Sequence, residues 1–450
     1  MFKKIEIWVL GLLCIIFFIV LIGYGGVLVH ELKGGNRYPT IQKTALFIAE
    51  IPHNLMNIYA PNRDFIDLSN KHVKKPRFKS FISKNRNELL LLSRFDGNAN
   101  RSVVEIIDLN DFSVLHTYKP NIDEINSKVD TNKEEWKNLQ RDNKQSRYRM
   151  YHPLILENGD LVFHGNSPLI KINFCSDLLW LNDEDLFHHS NNIDHEGNYW
   201  APTEKFPYAI DKELVGTKFG NFKDDAITKV SANGEILYTK SVSEILIENN
   251  YKYLIFSQSE YLTDPIHLND IQPVLQDGDY WKKGDIFLVL RNLSMIMHYR
   301  PFTNEIINII TGNFYNPHDV DIISGKEISI FNNNVFNTSN ERRILTNNEI
   351  TIYNFETQQF SQKFAKSMKK NEVKTLGQGL SDILDDGSML VEETDHARLL
   401  FFDSNGNLEW ELVNKDDNGK AFKYNWSRII DNMELIKKIK EKVKNNECLN

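Results

Sequence analysis

The chain has 450 residues, a formal net charge of −8 and a composition that is 41% hydrophobic and 11% aromatic. This content is too apolar for a disordered chain and is sufficient for a large folded core. The acidic balance, with no basic cluster outside the two ends, argues against nucleic acid as a partner.

The N-terminal segment, residues 1–30, is predicted to be a transmembrane anchor. Lys3 and Lys4 precede an uncharged run over residues 7–29, which is long enough to cross a hydrocarbon layer as a helix. A cleaved signal peptide has a shorter apolar stretch and a small-residue cleavage site, so an uncleaved anchor fits better. Because the positive end should stay in the cytoplasm, we expect a single-pass protein of the inner membrane whose main domain faces the periplasm.

Short strands and tight turns fill residues 80–426. Hydrophobic strands separated by turns such as Asn158-Gly159 and Asn405-Gly406 recur about every 40–50 residues. Such a unit is typical of a β-propeller blade, whereas a pair of β-sandwiches would not need to repeat it so often. The sequence therefore predicts an all-β propeller of about six blades. Residues 31–79 are interpreted as a linker that could also supply a blade-closing strand.

Three stretches depart from the strand pattern. Residues 122–149 are charged and polar, which suits an exposed helical insertion, and residues 242–255 place apolar side chains at helical spacing. Residues 427–450 are predicted to form a C-terminal amphipathic helix. The simplest interpretation packs this helix against the propeller, and the alternative is a membrane-surface role for its lysines.

Only two cysteines would lie beyond the anchor, because Cys14 is part of it. A disulfide between Cys175 and Cys448 and a pair of free thiols are both compatible with the sequence. No Cys–Cys or Cys–His spacing typical of a metal site is present, so no metal is expected.

Three histidine segments are the strongest indication of function. Residues 188–194, 267–270 and 318–321 each place histidine close to an acid or amide side chain, and each segment leads into a turn and a hydrophobic strand. One repeated chain geometry of this kind would present imidazole at the same place three times. A radial β-architecture builds a shared pocket from distant segments in this way. The remaining histidines, His152 and His164 among them, do not fit the pattern and are expected to be structural.

These motifs, with the strands and turns around them, resemble the arylsulfotransferase (ASST) family. The elements that follow the order of that family are residues 169–173, Leu179-Trp180, His188-His189, residues 194–200, His267-Leu268-Asn269, Arg291, His318-Asp319 and Gln378. The resemblance implies a β-propeller of the bacterial envelope. It also implies an enzyme that moves a sulfuryl group from a phenolic sulfate to a phenolic acceptor through a sulfated histidine, with no nucleotide donor and no cofactor.

By this resemblance six residues share one site, as catalytic or substrate-binding groups: His318, His267, His189, Arg291, Asn269 and His188. His318 is the nucleophile, and Arg291 binds the sulfuryl oxygens. His267 and Asn269 bind the sulfate and handle the phenolic proton, while His189, with His188 as the alternative, supplies a further imidazole. Imidazole suits nucleophilic attack near physiological pH, and a guanidinium holds two oxygens of an oxyanion at any pH.

Two other functions are also compatible with the sequence. A non-catalytic, membrane-anchored propeller could use the same face to bind a ligand or an envelope partner. Three clustered histidines could also bind zinc or copper, but Arg291 in the same pocket would repel a cation. Trp200, Tyr280 and Trp281 could border an aromatic acceptor, although such residues mostly pack in propeller cores.

Overall fold

The computed structural model describes residues 6–32, 39–59, 66–67, 69–133, 135–137, 139, 143–215, 222–257, 262–338 and 341–448. The chain divides into two compact units. The first comprises Met1–Arg63 with Ile210–Phe222, and the second comprises Asp64–Ala209 with Lys223–Asn450.

Helices make up the first unit. They are α1 (Ile7–Leu32), α2 (Pro39–Tyr59) and the short helix α4 (Lys212–Val215). Helices are numbered in chain order, and α3 belongs to the second unit. By length and composition, Ile7–His30 can cross a membrane, and none of it is buried inside the protein. This is consistent with single-pass anchoring. The Tyr24 hydroxyl donates a hydrogen bond to the Ala45 carbonyl, 2.9 Å away in α2. Part of the segment interpreted as a linker is therefore helical.

Six antiparallel blades make up the second unit, as predicted. Blade I has β2 (Leu89–Asp96), β3 (Arg101–Asp108), β4 (Val114–Tyr118) and β28 (Arg428–Ile430), and blade II has β5 (Tyr151–Ile155), β6 (Leu161–His164), β7 (Leu169–Ile172) and β8 (Leu178–Asn182). Blade III has β9 (Leu186–Phe187), β10 (Asn192–Ile193), β11 (Tyr199–Glu204), β12 (Asp225–Val230) and β13 (Ile236–Ser241), and blade IV has β14 (Leu268–Pro273), β15 (Ile286–Leu290), β16 (Met295–Arg300) and β17 (Glu305–Ile310). Blade V has β18 (Pro317–Ser324), β19 (Glu327–Asn332), β22 (Glu349–Asn354) and β23 (Gln359–Lys363), and blade VI has β24 (Leu380–Ile383), β25 (Met389–Glu393), β26 (Arg398–Phe402), β27 (Leu408–Val413) and β1 (Phe78–Ser80).

The remaining elements are insertions and connections. They are α3 (Ile122–Asn126), α5 (Val242–Glu248), α6 (Tyr253–Phe256), the hairpin β20 (Val335–Asn337) and β21 (Arg342–Ile344), α7 (Ala365–Lys370) and α8 (Met433–Lys444). Helices α5 and α6 lie in the stretch predicted to be helical. The stretch around Trp136 differs from the expectation. Helix α3 lies in this stretch, but Trp136 is buried against Val129 and Leu139 rather than exposed.

Local sequence explains why the blades form. Strand β15 reads Ile-Phe-Leu-Val-Leu and is buried on both faces, as expected where neighbouring blades pack against it. The turns before β6 and β27 use Gly159 and Gly406 at φ of +84° and +81°, a backbone region that glycine enters without steric cost. Apolar strands and left-handed turns together set the repeat.

The C-terminal strand closes the ring. Strand β28 pairs with β2, with Leu89 opposite Ile430 and Leu91 opposite Arg428. Residues 428–430 were expected to be helical, and their pairing with the first blade explains the difference. Strand β1 instead extends the last blade at its outer edge, where Phe78 lies opposite Leu412. The segment before residue 80 thus adds a strand to the last blade without closing the ring.

Helix α8 and a disulfide fasten the chain end. The side chain of Asn432 accepts hydrogen bonds from the backbone N–H groups of Glu434 and Leu435, which caps the helix. The apolar face of α8, which consists of Leu435, Ile436 and Ile439, is buried in the core shared by blades I and II. The helix therefore packs on the propeller, and its apolar face is not available to a membrane. Cys175 and Cys448 form a disulfide, which decides the alternative that the sequence left open.

Candidate functional site

Each blade presents one left-handed residue where the chain enters its innermost strand. These residues stand within three positions of the start of β28, β5, β10, β14, β18 and β24, and they have φ between 46° and 71°: His152, His189, His267, Asn316, Gln378 and Trp426. Asparagine and histidine are enriched among the non-glycine residues found in this region, but a bulky residue such as Trp426 is an outlier there. Such strain on bulky residues is concentrated at functional sites. The six positions therefore mark one end of the propeller as the place to look for a site.

Histidines from blades III, IV and V meet at this end. The ring centre of His189 lies 5.0 Å from that of His267 and 6.0 Å from that of His318. The ring of His188 lies 4.8 Å from His189. Three segments that are distant in the sequence thus bring their imidazoles together, in the order that the sequence suggests.

A cavity of about 270 Å³ is lined by the imidazoles of His188, His189 and His267, while His318 does not line it. Its volume would accommodate a small molecule rather than a polymer. The lining residues are Asn166, Leu186, Phe187, His188, His189, Glu204, Lys223, Asp225, His267 and Leu268. Within the described ranges, no group of three or more His, Cys, Asp and Glu side chains could hold a metal ion.

His318 is a buried imidazole with an unpaired nitrogen. The register of β18 against β19 shifts between Pro317 and Asp319, so His318 stands in a bulge. The side chain is 2% exposed, and its Nδ1 atom has no hydrogen-bond partner. Burial lowers the pKa of His318 to about 3, and the charge of His267 acts in the same direction. The imidazole is therefore neutral at physiological pH, and one of its two nitrogens carries a lone pair.

Trp426 supports His318 from the closing strand. The two rings meet edge to face with centres 5.0 Å apart, and the other neighbour of Trp426 is His152, at 3.9 Å. His152 accepts a hydrogen bond from Arg428 at Nδ1, while Nε2 of His164 is bonded to the His189 carbonyl at 3.1 Å. Both rings are thus bonded to groups of the neighbouring segments.

His267 is oriented by a carboxylate. Its Nδ1 atom donates to Oδ2 of Asp264 over 2.7 Å. Burial by itself would raise the pKa of Asp264, but the hydrogen bond from His267 and the charge of that ring outweigh it, so the pKa is lowered. An acid that holds Nδ1–H fixes the tautomer and directs Nε2 away from the acid.

His188 and His189 form a second oriented pair. Their Nδ1 atoms are 2.6 Å apart, and Nε2 of His188 lies 3.4 Å from Oδ1 of Asp225. Burial lowers the pKa of His189 well below its usual value, with further lowering from the charge of His188. Asp225 is itself fixed, because its Oδ2 accepts a hydrogen bond from the Leu268 backbone N–H at 3.0 Å.

Arg291 and Asn269 lie near His267 in the folded chain. The backbone N–H of Arg291 donates to the His267 carbonyl at 3.1 Å, and its Nη1 donates to Oδ1 of Asn292. The Arg291 side chain does not line the cavity in this conformation. Asn269 is fully buried, and its amide donates to the Pro317 carbonyl at 3.2 Å. Asn269 therefore ties blade IV to the strand that carries His318.

The aromatic residues considered from the sequence pack in the core instead. Trp200 is 4% exposed, and its indole donates to Oδ2 of Asp194. Tyr280 and Trp281 pack with Phe355 between blades IV and V. None of the three lines the cavity.

Sequence reasoning missed the acids behind the histidines. Asp264 is three residues before His267, so the spacing between them offered a local signal. Asp225 is 37 positions after His188, and only the pairing of β11 with β12 brings it back to the site. Trp426, two residues before β28, offered no signal.

Fold and site together define a class of protein: a six-bladed β-propeller with an imidazole-lined cavity where its innermost strands begin. A model of the family described as Arylsulfotransferase (ASST) matches residues 152–415, which span blades II to VI. This chain belongs to the arylsulfotransferase (ASST) family. No curated protein matches it.

Solved structures with a similar fold are distant. A Bacteroides caccae protein of unknown function is 12% identical, with 76% of this chain and 98% of that chain covered and a TM-score of 0.45. Virginiamycin B lyase from Staphylococcus aureus is 13% identical, with 60% and 71% covered and a TM-score of 0.34. A Kuenenia stuttgartiensis hydrazine synthase is 9% identical, with 72% and 75% covered and a TM-score of 0.39. At these TM-scores the likeness says nothing about activity.

Proposed function

We propose that this protein transfers a sulfuryl group from a phenolic sulfate ester to a phenolic acceptor, with His318 as the nucleophile. The observation that carries the proposal is the buried, neutral His318 imidazole with an unpaired Nδ1, in contact with a cluster of further imidazoles. Membership of the arylsulfotransferase family supports the same reaction class.

The chemistry assigns roles to the neighbours of His318. A sulfate monoester carries negative charge on its oxygens, and its transfer needs an unprotonated nucleophile, positive or hydrogen-bonding groups at those oxygens, and a proton for the leaving phenolate. In this proposal His267, oriented by Asp264, would bind the sulfuryl oxygens, and Arg291 would supply positive charge after its side chain turns toward the cavity. Asn269 holds the His318 strand in register. An imidazole of the cluster handles the phenolic proton.

The test uses the full chain with 4-nitrophenyl sulfate as donor and phenol as acceptor. We expect release of 4-nitrophenolate, formation of phenyl sulfate, and mass spectrometry that finds one added sulfuryl group on the peptide containing His318. The variant His318→Asn should lose turnover. His195→Asn, the same substitution at an exposed histidine outside the cavity, is the matched control and should retain it.

Absence of both label and released phenol would reject the proposal and would favour a non-catalytic propeller that binds a ligand or an envelope partner. Label on a histidine other than His318 would reject the assignment of the nucleophile while leaving the reaction class in place.

We also propose that α1 anchors the protein in the inner membrane with the propeller in the periplasm. Two observations support this location: the unburied apolar helix and the disulfide between Cys175 and Cys448, a bond that persists in oxidising compartments. After mild reduction of spheroplasts, a membrane-impermeant maleimide should label these cysteines. Labelling only after lysis of the cells would overturn the orientation.

A further inference from the structure

Lys223 carries a positive charge into the wall of the cavity. Among the described residues that line the cavity, it is the one lysine or arginine. Its Nζ atom lies 3.4 Å from Oε1 of Glu204, which lines the same cavity, and the two side chains are 48% and 37% exposed. An ion pair this open to water contributes little to the fold, so its two charges separate at small cost. Lys223 can therefore exchange Glu204 for another anion.

Backbone hydrogen bonds hold Lys223 at the cavity. Its N–H donates to the Thr263 carbonyl at 2.7 Å, on the segment that leads into β14. The next residue, Asp224, is buried; its Oδ2 accepts from the Ala209 N–H at 2.9 Å and its Oδ1 from the Ser241 hydroxyl at 2.6 Å. The main chain at Lys223 is thus fixed by segments on both sides, while its exposed four-carbon side chain can turn between partners.

Nearby carboxylates keep Lys223 charged. Burial by itself would lower the pKa of Lys223, but Glu204, Asp264 and Asp225 outweigh it, so the pKa is raised. The ammonium is therefore charged at physiological pH. Two of these acids are engaged elsewhere, since Asp264 accepts from an imidazole at 2.7 Å and Asp225 from a backbone N–H of β14 at 3.0 Å. Glu204 is the acid at ion-pair distance from Lys223.

Arg291 differs from Lys223 in its direction. Its side chain does not line the cavity, and its Nη1 donates to Oδ1 of Asn292 at 3.1 Å. An anion that enters the cavity therefore meets the Lys223 ammonium without any movement of Arg291. An ammonium offers three rotatable N–H donors on a compact charge, which suits a group with three equivalent oxygens.

We propose that Lys223 binds the sulfate group of the donor in the cavity and releases Glu204 as it does so. The inference rests on the proposed function, which names the anion, and deepens it by assigning a substrate-binding residue. No covalent bond forms or breaks at Lys223. Glu204 opposes binding, because it competes for the ammonium and repels the incoming anion.

Binding can be measured apart from transfer with benzenesulfonate. This anion has an aromatic ring and three oxygens on sulfur, but its ring is joined to sulfur through carbon, so no sulfuryl group can leave. Isothermal titration of the full chain in a non-ionic detergent should show about 10-fold weaker binding in Lys223→Gln, the scale of one hydrogen bond to a charged group. Lys223→Arg should retain the affinity, because the charge is kept.

Glu204→Gln gives a result of the opposite sign. Loss of the competing carboxylate should tighten benzenesulfonate binding about 2- to 5-fold, the scale of an exposed ion pair. A purely structural role for the pair would make both variants weaker. Lys240→Gln is the matched control, because Lys240 belongs to the same blade and pairs with Glu248 at 2.6 Å but lies outside the cavity; its affinity should be unchanged. Affinity for the neutral analogue benzenesulfonamide should be the same in Lys223→Gln and the wild type.

Four results would overturn the inference: no binding of benzenesulfonate to the wild type, unchanged affinity in Lys223→Gln, weaker binding in Glu204→Gln, or loss of affinity in Arg291→Gln alone. With 4-nitrophenyl sulfate as donor, Lys223→Gln should raise KM and leave kcat nearly unchanged, as loss of uniform binding requires. Binding of benzenesulfonate through Lys223 with no sulfuryl transfer would reject the proposed function and leave an anion site. Transfer with the same KM in Lys223→Gln would reject the role of Lys223 alone.

Discussion

Glu393 in β25 holds the segment before β1 to the last blade, and its replacement by glutamine should weaken the protein in a pH-dependent way. The carboxylate is fully buried and bonded to Lys71 at 2.9 Å, His72 at 3.1 Å and Arg398 at 2.7 Å. Burial by itself would raise the pKa of Glu393, but these partners lower it from 4.5 to about 2. The shift of about 2.5 units corresponds to about 3 kcal/mol of folding free energy.

The sign of the effect follows from the direction of the shift. Because the folded-state pKa is lowered, the stabilisation is fully present above the unfolded pKa of 4.5 and is lost as the pH falls through about 2. Urea unfolding of the full chain in detergent, followed by tryptophan fluorescence, should show Glu393→Gln about 3 kcal/mol less stable at pH 7, with a smaller deficit at pH 3.5. Glu372→Gln, at a nearby exposed acid, is the control. An equal deficit at both pH values, or none at pH 7, would refute the reasoning.

Three further outcomes test the site and the chain end. Asp264→Asn should lower kcat/KM about 10³- to 10⁴-fold with little change in melting temperature, because His267 loses the acid that sets its tautomer; wild-type kcat/KM would contradict this role. Because the pKa of His318 is about 3, its protonation should not lower the single-turnover rate of His318 sulfation between pH 7 and pH 5. Rapid-quench assays in which His318 itself titrates near pH 6.5 would contradict that value. Cys448→Ser removes a cross-link between residues 273 positions apart and should cost about 2–5 kcal/mol, read as a lower unfolding midpoint under non-reducing conditions; an unchanged midpoint would count against a stabilising role.

The fold was predictable to the extent that local sequence determines it. Apolar strands such as β15 and the left-handed glycines at the hairpins are local signals, and they were sufficient to indicate six blades. Strand β28 was not predictable, because Ile429 and Ile430 also fit the helical spacing of α8. Pairing with β2, more than three hundred residues earlier in the chain, decides their conformation.

The same distinction between local sequence and long-range pairing applies to the candidate site. His189, His267 and His318 could be singled out because each lies close to an acid or amide side chain and is followed by a turn and a hydrophobic strand. The acids that orient these histidines could not be singled out from the sequence. A carboxylate acts on an imidazole through distance, and only strand pairing brings Asp225 next to His188. The side-chain direction of Arg291 depends on its 3₁₀ turn after β15 and likewise leaves no mark in the sequence.

Closure of the ring by β28 has a consequence for folding. Trp426, which packs on His318, and Arg428, which bonds to His152, both belong to the segment that pairs with β2, more than three hundred residues earlier in the chain. A chain in which this pairing has not formed has every histidine of the pocket and still lacks the wall against which His318 packs. Completion of the pocket therefore depends on a contact between two distant parts of the chain, and a variant that prevents the pairing of β28 would keep all these histidines without a finished pocket.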